Sequence, residues 1–242
     1  MKTALIAVAN KDGIREFAQG LLAAGFGQIV ASDGTARHLK SWTEPVLDDN
    51  GEPVMDDEGR PRERAVLRAD QVLTVQDMTG LPPALDHRVV TLHHKIHGGI
   101  LARRDHLDEL RQLGWRWFDA VIVDLYPLSA KVSDVRARWQ AGELTSLQAW
   151  REAVEMMDIG GPTLIRGAVK GAVEGRYVVT SPDTRSILVS HLEAGAPDDT
   201  RLRLSLASFA LCMVQDYDDD LLDLMQDIME SDTSLSDEST EA

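Results

Sequence analysis

Short apolar runs alternate with amphipathic stretches along the first forty residues, and this alternation limits the folds open to the chain. Residues 3–8 and 28–31 are apolar runs of strand length, and segments with helical spacing follow them at 14–24 and from Ser32. A β-α-β-α order predicts a parallel sheet covered by helices. Because ligands bind at the carboxyl ends of such strands, we expect a site at the turns that follow these two strands.

Further elements are expected along the rest of the chain. Strand patterns occur at 69–75, 118–125 and 176–180, an extended piece at 89–92, a short helix or turn at 81–85, and helical patterns at 103–114, 146–157, 186–193 and 200–229. Together they predict an α/β domain with three layers, α/β/α, around a mainly parallel sheet. A chain of 242 residues that is 43% hydrophobic suits one domain, which we place at 1–230.

The composition bears on the compartment in which the protein occurs and on the partners that it can have. The single cysteine, Cys212, excludes an internal disulfide framework and suits a reducing cytoplasm. No run approaches the roughly 18 apolar residues of a membrane helix, and no signal-peptide pattern is present, so we expect a cytoplasmic protein without a membrane partner. A net charge of −15 argues against nucleic-acid binding. Eleven acids and no Lys or Arg lie in 216–242, and 231–242 is predicted to be a disordered acidic tail.

Residues 44–64 contain a direct repeat, Glu-Pro-Val-Leu-Asp-Asp-Asn-Gly followed by Glu-Pro-Val-Met-Asp-Asp-Glu-Gly. The pair Asn50-Gly51 is a strong hairpin-turn signal, so the segment predicts a polar β-hairpin on the surface. A calcium loop is the alternative interpretation. The acids lack the alternating spacing of an EF-hand loop, which disfavours calcium.

The stretch 158–170, Asp-Ile-Gly-Gly-Pro-Thr-Leu-Ile-Arg-Gly-Ala-Val-Lys, joins two glycines and a proline to an apolar-periodic run. Proline suits the first turn of a helix, so we expect a helix from Pro162. Free N–H groups at such a start attract an oxyanion or a phosphate. Asp158 precedes this helix and Lys170 ends it. The alternative is a buried turn and a capped helix whose terminal lysine is favoured by the helix dipole.

Several motifs occur together in a fixed order. They are Met78-Thr-Gly-Leu-Pro82, Thr91-Leu-His93, His97-Gly-Gly-Ile-Leu-Ala-Arg-Arg104, Leu125-Tyr-Pro127 and Asp158-Ile-Gly-Gly161. On these motifs the chain resembles, over about 4–230, the inosine monophosphate cyclohydrolase domain of the bifunctional purine-biosynthesis family. The resemblance implies a methylglyoxal-synthase-like fold, and it makes the 44–64 hairpin an insertion.

The same resemblance implies an enzyme, a cyclohydrolase that closes the purine ring of a formamido-imidazole-carboxamide ribonucleotide with loss of water. It implies no cofactor, a homodimer, and a separate formyl-transferase that supplies the substrate. The matched catalytic positions are Lys170, Asp158 and Tyr126. The matched substrate-binding positions are Lys11, Ser32, Gly34, Thr35, Arg88, Thr91, Asp124, Ile159, Gly160 and Gly161. A plainer role for Ser32 and Thr35 is helix capping, and for Tyr126 a half-buried aromatic at a strand end.

The chain also departs from the family pattern. Ala7 and Ala9 stand in place of serines, Asn10 of an aspartate, Asp33 of a glycine, Asp124 of an asparagine, Val90 of a lysine and His94 of a proline. The missing lysine matters most, because losing one oxyanion donor typically costs about 10²–10³ in rate. Either Lys95 or His94 substitutes for it, the activity is weak, or the protein has diverged to a different reaction. A diverged homologue would act on another ribonucleotide, for instance in a specialised nucleoside pathway, or bind a nucleotide without catalysis.

Four histidines raise the question of a metal site: His87, His93, His94 and His97. His93 and His97 have the i, i+4 spacing of one helix face, but Gly98-Gly99 and the family pattern predict a loop. No cysteine or carboxylate triad lies nearby in the sequence. We therefore expect no metal, and a structural or substrate-edge hydrogen bond for His93 and His97.

Overall fold

The computed structural model describes residues 1–86, 88–126, 128–195 and 198–231. The strands in these ranges are β1 Lys2–Ala7, β2 Phe26–Ala31, β3 Thr43–Pro45, β4 Glu63–Ala65, β5 Val72–Thr74, β6 Ala120–Val123 and β7 Tyr177–Val179. The helices are α1 Ile14–Ala23, α2 Asp33–Lys40, α3 Val75–Thr79, α4 His94–Leu101, α5 Leu107–Gln112, α6 Leu128–Gln140, α7 Ser146–Glu155, α8 Gly160–Gly171, α9 Pro182–Glu193 and α10 Thr200–Ser231. Three 3-10 turns occupy Ala69–Gln71, Arg104–His106 and Ala172–Glu174.

Five strands form one parallel sheet in the order β5-β2-β1-β6-β7. From β1 the chain adds β2 and β5 on one side, then crosses over to place β6 and β7 on the other. The direction of strand addition therefore reverses between β1 and β6. In open α/β sheets the carboxyl ends of the strands at such a switch point border a ligand crevice.

Successive residues of β1 feed two cores on opposite faces of the sheet. Ala4 and Ile6 pack with residues of α1, α2 and α9, whereas Leu5 packs with residues of α3, α4, α8 and α10. All three side chains are fully buried. A central parallel strand is covered on both faces, so its sequence is a continuous apolar run. The apolar run at β1 therefore predicts a buried central strand. The predicted α/β fold with three layers is confirmed.

A third core lies outside the sheet, between α6, α7 and the second half of α10. Its buried members are Leu128, Val132, Val135, Ala149, Ala153, Tyr217, Leu221, Leu224 and Ile228. The first half of α10 packs on the sheet through Ala207, Ala210 and Val214. One helix of 32 residues therefore joins the sheet to the helical unit that α6 and α7 form.

A buried arginine contacts the carboxyl ends of two helices, α4 and α8. The guanidinium of Arg176 donates to the carbonyl oxygens of Gly99 at 3.1 Å and Ala102 at 2.6 Å, and it lies 3.6 Å from the centre of the Trp117 ring. It also donates to Gly171 at the end of α8. Burial lowers the pKa of Arg176 to about 10, so it stays charged near neutral pH. The cation meets the negative ends of the α4 and α8 dipoles.

Several predicted elements differ from the observed ones. The strand expected at 69–75 is a 3-10 turn, the short strand β5, and the start of α3, because the Thr74 hydroxyl caps that helix by accepting from the Asp77 N–H at 2.9 Å. The helix expected at 103–114 is divided into a 3-10 turn and α5. Residues 81–85 contain no helix. The sequence pattern predicts no element over α6.

The segment between α2 and the first 3-10 turn leaves the sheet as an antiparallel ladder of β3 and β4, continued by bridges from Leu47 to Pro53 and from Met55 to Pro61. Of the tail predicted at 231–242, the structure describes only Ser231, the last residue of α10. Among the helices of the described ranges, none combines the length and apolar character that a membrane span requires.

Candidate active site

A cleft of about 920 Å³ opens at the carboxyl edge of the sheet, beyond the ends of the paired strands β1 and β6. Its floor contains the ends of these strands, at Ala7–Ala9 and at Val123 and Asp124. One wall is the start of α2, and another is the turn from α7 into α8. The segment before α4 closes the cleft with Arg88, Val90, Thr91 and Leu92. The strand-end location expected from the β-α-β-α pattern is therefore observed.

The start of α2 contributes a hydroxyl and a short glycine turn. Ser32, Asp33 and Gly34 line the cleft. The Ser32 side chain makes no capping bond to the helix, and its hydroxyl donates to Thr35 Oγ1 at 3.1 Å. Thr35 is fully buried, donates to the Val8 carbonyl at 3.4 Å and does not line the cleft. Thr35 therefore supports this wall from beneath. Arg37, which sequence reasoning missed, lines the cleft one turn further along the helix.

Lys11 supplies a partly buried cation beside the end of β1. Its ammonium donates to the carbonyl oxygens of Val8 and, at 3.4 Å, of Ala9. Burial lowers the pKa of Lys11, the neighbouring Asp124 carboxylate opposes that shift, and Arg185 adds to it. An ammonium has three donors, so Lys11 retains one for a ligand.

Asp124 forms a buried ion pair on the cleft floor. One of its oxygens accepts from the Ala9 N–H, and the other accepts from the Arg185 guanidinium at 2.6 Å. The side chains of Arg185 and Asp124 are only 4% and 12% exposed. Arg185 comes from α9, 61 residues away in sequence, and no motif indicates it. The only available signal is Asp124 itself, because an added carboxylate at a buried strand end needs a cation.

Arg88 and Glu155 form an ion pair at the mouth of the cleft. Both side chains line the cleft and are 63% and 60% exposed. Arg88 lies on the loop before α4, and Glu155 is the last residue of α7. Arg88, a predicted substrate-binding residue, therefore already has a carboxylate partner. Sequence reasoning missed this partner, Glu155.

At the start of α8, an aspartate and two glycines pack closely. Asp158 Oδ1 accepts from the Gly161 N–H at 3.1 Å. A Cβ at Gly161 would overlap Asp158 Oδ2 and lie 2.7 Å from Leu125 Cδ2, and one at Gly160 would lie 3.0 Å from Thr91 Oγ1. A side chain at Gly161 would therefore displace Asp158 and Leu125, whereas one at Gly160 would press only on Thr91.

The helix α8 begins at Gly160, two residues earlier than the predicted start at Pro162. The Gly161 N–H, expected to be free for an oxyanion, is therefore occupied by Asp158. Among the described residues, the N–H groups of Ile159 and Gly160 have no acceptor. Both residues line the cleft, so two backbone donors without an acceptor lie at this end.

Tyr126 follows β6, lines the cleft and is 67% exposed. Lys170 lies elsewhere. It is exposed in the last turn of α8 and absent from the described lining residues, and the rise of 1.5 Å per residue puts it about 15 Å along the helix axis from Gly160. Within one chain Lys170 does not reach the cleft, because nearly the whole length of α8 separates it from Gly160.

Lys95 does not replace the missing family lysine. Its ammonium donates to the carbonyl oxygens of Met78 at 3.2 Å and Thr79 at 3.5 Å. Val90 lines the cleft and is half-buried. Among the described lining residues Lys11 is the only lysine, and His94 is not one of them.

The loop predicted at His93 and His97 is wrong, because this segment starts α4. His93 is the N-cap, and its Nδ1 accepts from the Lys95 N–H at 3.1 Å. The glycines that suggested a loop are required by packing: a Cβ at Gly98 would overlap the Trp115 ring, and one at Gly99 the Arg116 carbonyl.

Neither His93 nor His97 lines the cleft. Burial lowers the pKa of His97. In the described part of the chain no three His, Cys, Asp or Glu side chains are grouped to hold a metal ion. His87, one of the four histidines, and Pro127, the last residue of the motif Leu125-Tyr-Pro127, lie outside the described residues.

This fold is an α/β fold of the methylglyoxal-synthase-like class, with a polar cleft at the switch point of its sheet. Comparison with known proteins gives the family relationship. The chain is 32% identical over 212 residues to the bifunctional purine biosynthesis protein PurH of Bacillus cytotoxicus, covering 86% of this chain and 34% of the relative. The PurH of Prochlorococcus marinus is 34% identical over the same shares, and that of Rhodopirellula baltica is 34% identical over 93% of this chain and 36% of the relative.

The chain is thus homologous to the PurH proteins and spans about a third of their length. The resemblance to the bifunctional purine-biosynthesis family is confirmed. A crystal structure of ForH matches with a TM-score of 0.62 and 26% identity, covering 92% of this chain and 98% of that one. No protein-family model matches the chain.

Proposed function

We propose that this chain binds a purine-type ribonucleotide in the cleft and closes its ring by cyclohydrolase chemistry. The observation that carries the proposal is one cleft with two chemically different ends. Lys11 and the start of α2 form the first, and Asp158 with the start of α8 forms the second. Homology to purine biosynthesis proteins supports the substrate class.

The first end, called the α2 end, suits a phosphate. Lys11 and Arg37 carry positive charge, Ser32 a hydroxyl, and the first turn of α2 adds backbone N–H groups. These are the groups that bind phosphates in proteins. Asp33 lines the same wall, and its carboxylate must point away from a bound phosphate. On the floor, Asp124 is an acceptor for a ribose hydroxyl.

The second end, called the α8 end, suits the ring-closing step. The carboxamide nitrogen of the substrate attacks its formyl carbon, forming a C–N bond and turning the formyl oxygen into a hydroxyl. The C–O bond of this adduct then breaks, and the hydroxyl leaves as water with the hydrogen of the formamido nitrogen as a C=N bond forms. The attacking nitrogen must give up a proton, and the formyl oxygen develops negative charge. The Asp158 carboxylate accepts the proton, the Tyr126 hydroxyl donates to the leaving oxygen, and the N–H groups of Ile159 and Gly160 stabilise it. An amide is a poor nucleophile, so orientation by both ends contributes much of the rate.

The proposal also includes the expected partners. A formyl-transferase, in this chain's protein or separate from it, supplies the formylated substrate. The homodimer implied by the family is part of the proposal, since exposed apolar side chains on α10 such as Leu204, Phe209 and Leu211 are available for pairing.

A second candidate follows from Val90. A half-buried valine lines the cleft where the family has its catalytic lysine, and neither Lys95 nor Lys170 reaches the cleft. Without a lysine at the α8 end, the cleft suits a diverged homologue that cyclises another ribonucleotide or binds one without turnover. This candidate keeps the α2 end and changes the chemistry of the α8 end.

Absorbance during incubation with the formylated carboxamide ribonucleotide separates the two candidates. We expect wild type to form inosine monophosphate, and Val90→Lys to raise turnover about tenfold or more, since one oxyanion donor is worth about 10²–10³ in rate. Leu92→Lys, a lysine added elsewhere on the lining, is the control. If wild type and Val90→Lys are both inert while inosine monophosphate still binds, the cyclohydrolase proposal fails and the diverged homologue replaces it.

A further inference from the structure

Tyr217 lies at the point where α10 passes from the sheet to the helical unit. Upstream of it, Ala210 and Val214 pack on the sheet. Downstream, Leu221 and Leu224 pack with α6 and α7. The Tyr217 side chain is 7% exposed and belongs to the core of the helical unit.

The phenol oxygen of Tyr217 is bonded to the chain on both sides of Met157. It accepts a hydrogen bond from the Asp158 N–H at 2.7 Å and donates to the Met156 carbonyl at 3.4 Å. Burial raises the pKa of Tyr217, so the hydroxyl keeps its proton and both bonds near neutral pH. One side chain from α10 therefore closes the turn between α7 and α8.

This contact completes the immobilisation of Asp158. Its carboxylate is held by the Gly161 N–H and its backbone by Tyr217. Met157 and Asp158 both line the cleft. A shift of this turn would displace the carboxylate from the reacting nitrogen, and misplacement of about 1 Å can cost 10² in rate.

We infer that Tyr217 is a positioning residue for Asp158, and that through it the helical unit of α6, α7 and α10 controls the geometry of the α8 end. The part of this inference that concerns turnover rests on the proposed function. The part that concerns the turn does not, because it follows from the hydrogen bonds alone. The two parts have separate readouts.

Tyr217→Phe removes only the phenol oxygen and keeps the buried ring. Tyr177→Phe is the matched control, because Tyr177 is also buried, at 8% exposed, but lies on β7 and not on the cleft. The first readout is hydrogen exchange of the Asp158 amide. We expect exchange to accelerate about tenfold or more in Tyr217→Phe and to stay within about twofold of wild type in Tyr177→Phe.

The second readout is turnover of the formylated ribonucleotide. We expect kcat to fall about tenfold in Tyr217→Phe with KM within about twofold, while melting temperatures of the two variants stay similar. Unchanged exchange, or unchanged kcat in an active protein, overturns the inference. An inert wild type counts against the proposed function alone, since amide exchange still decides whether Tyr217 holds the turn.

Discussion

The two ends of the cleft are built in different ways. At the α2 end, Lys11 and Ser32 follow directly after the adjacent strands β1 and β2, so short-range sequence order places them together. At the α8 end, Thr91, Tyr126 and Asp158 come from three distant segments, and Tyr217 adds a fourth from α10. The proposed phosphate end is therefore assembled from two neighbouring strand ends, whereas the proposed reacting end is assembled from segments that are distant in sequence.

Both ends depart from the family pattern, the first at Asp33 and at Ala7 and Ala9 on the neighbouring floor, the second at Val90. Lys11, Ser32 and Gly34 remain at the α2 end. Val90 replaces a lysine at the reacting end, and Lys170 is at the far end of α8. We propose that affinity depends mainly on the α2 end and turnover mainly on the α8 end. Substitutions at one end should change one property with little effect on the other.

The largest expected effect is on turnover at the α8 end. Asp158→Asn keeps an oxygen for the Gly161 N–H but removes the proton acceptor, so we expect turnover to fall about 10²–10³-fold while nucleotide affinity changes less than about threefold. Steady-state kinetics and calorimetry measure the two quantities. Asp183→Asn, an exposed aspartate in the first turn of α9 outside the cleft, should leave both unchanged. An equal loss of affinity and turnover in Asp158→Asn would contradict the division into two ends.

The next effect is on affinity at the α2 end. Lys11→Ala should weaken inosine monophosphate binding about 10–100-fold, because a hydrogen bond to a charged group contributes about 1.5–3 kcal/mol. Calorimetry is the measurement, and Lys40→Ala, which removes an exposed lysine at the other end of α2, is the control. Unchanged affinity in Lys11→Ala would place the phosphate elsewhere.

The smallest effect concerns the mouth of the cleft. Glu155 is an internal competitor for Arg88, so Glu155→Gln should free the guanidinium and tighten nucleotide binding about two- to fivefold, the scale of an exposed ion pair. Glu152 lies on the same helix as Glu155 but outside the cleft, and it forms a similar ion pair with Arg138 of α6. Glu152→Gln breaks that pair and should leave nucleotide affinity unchanged. Weaker binding in Glu155→Gln would mean that Glu155 contacts the ligand and that Arg88 does not.

The fold could be predicted from the sequence where the pattern of apolar residues was long and regular. β1, α1 and β2 each bury a continuous or periodic apolar set, and this fixes a parallel sheet. Shorter elements were not accessible. The five-residue helix α3 depends on its Thr74 cap more than on apolar periodicity. The glycines at the end of α4 are required by close packing, although a glycine pair in the sequence is typical of a loop.

The site was accessible where its residues follow a strand or precede a helix. Lys11, Ser32, Asp124 and Asp158 belong to that group. Lys170 lies twelve positions after Asp158, near the other end of α8, so it is not among the described lining residues. The pairs Asp124–Arg185 and Asp158–Tyr217 span 61 and 59 residues, respectively. No local pattern encodes such contacts, since they depend on how α9 and α10 pack.

A crystal structure of the protein with inosine monophosphate tests the two-ended cleft most directly. We predict the phosphate at Ser32 and Gly34, within hydrogen-bond distance of Lys11, and the base between Tyr126 and Asp158, with its carbonyl oxygen near the N–H groups of Ile159 and Gly160. A nucleotide bound in the opposite orientation, with its phosphate at the start of α8, or one bound outside this cleft, would contradict the account.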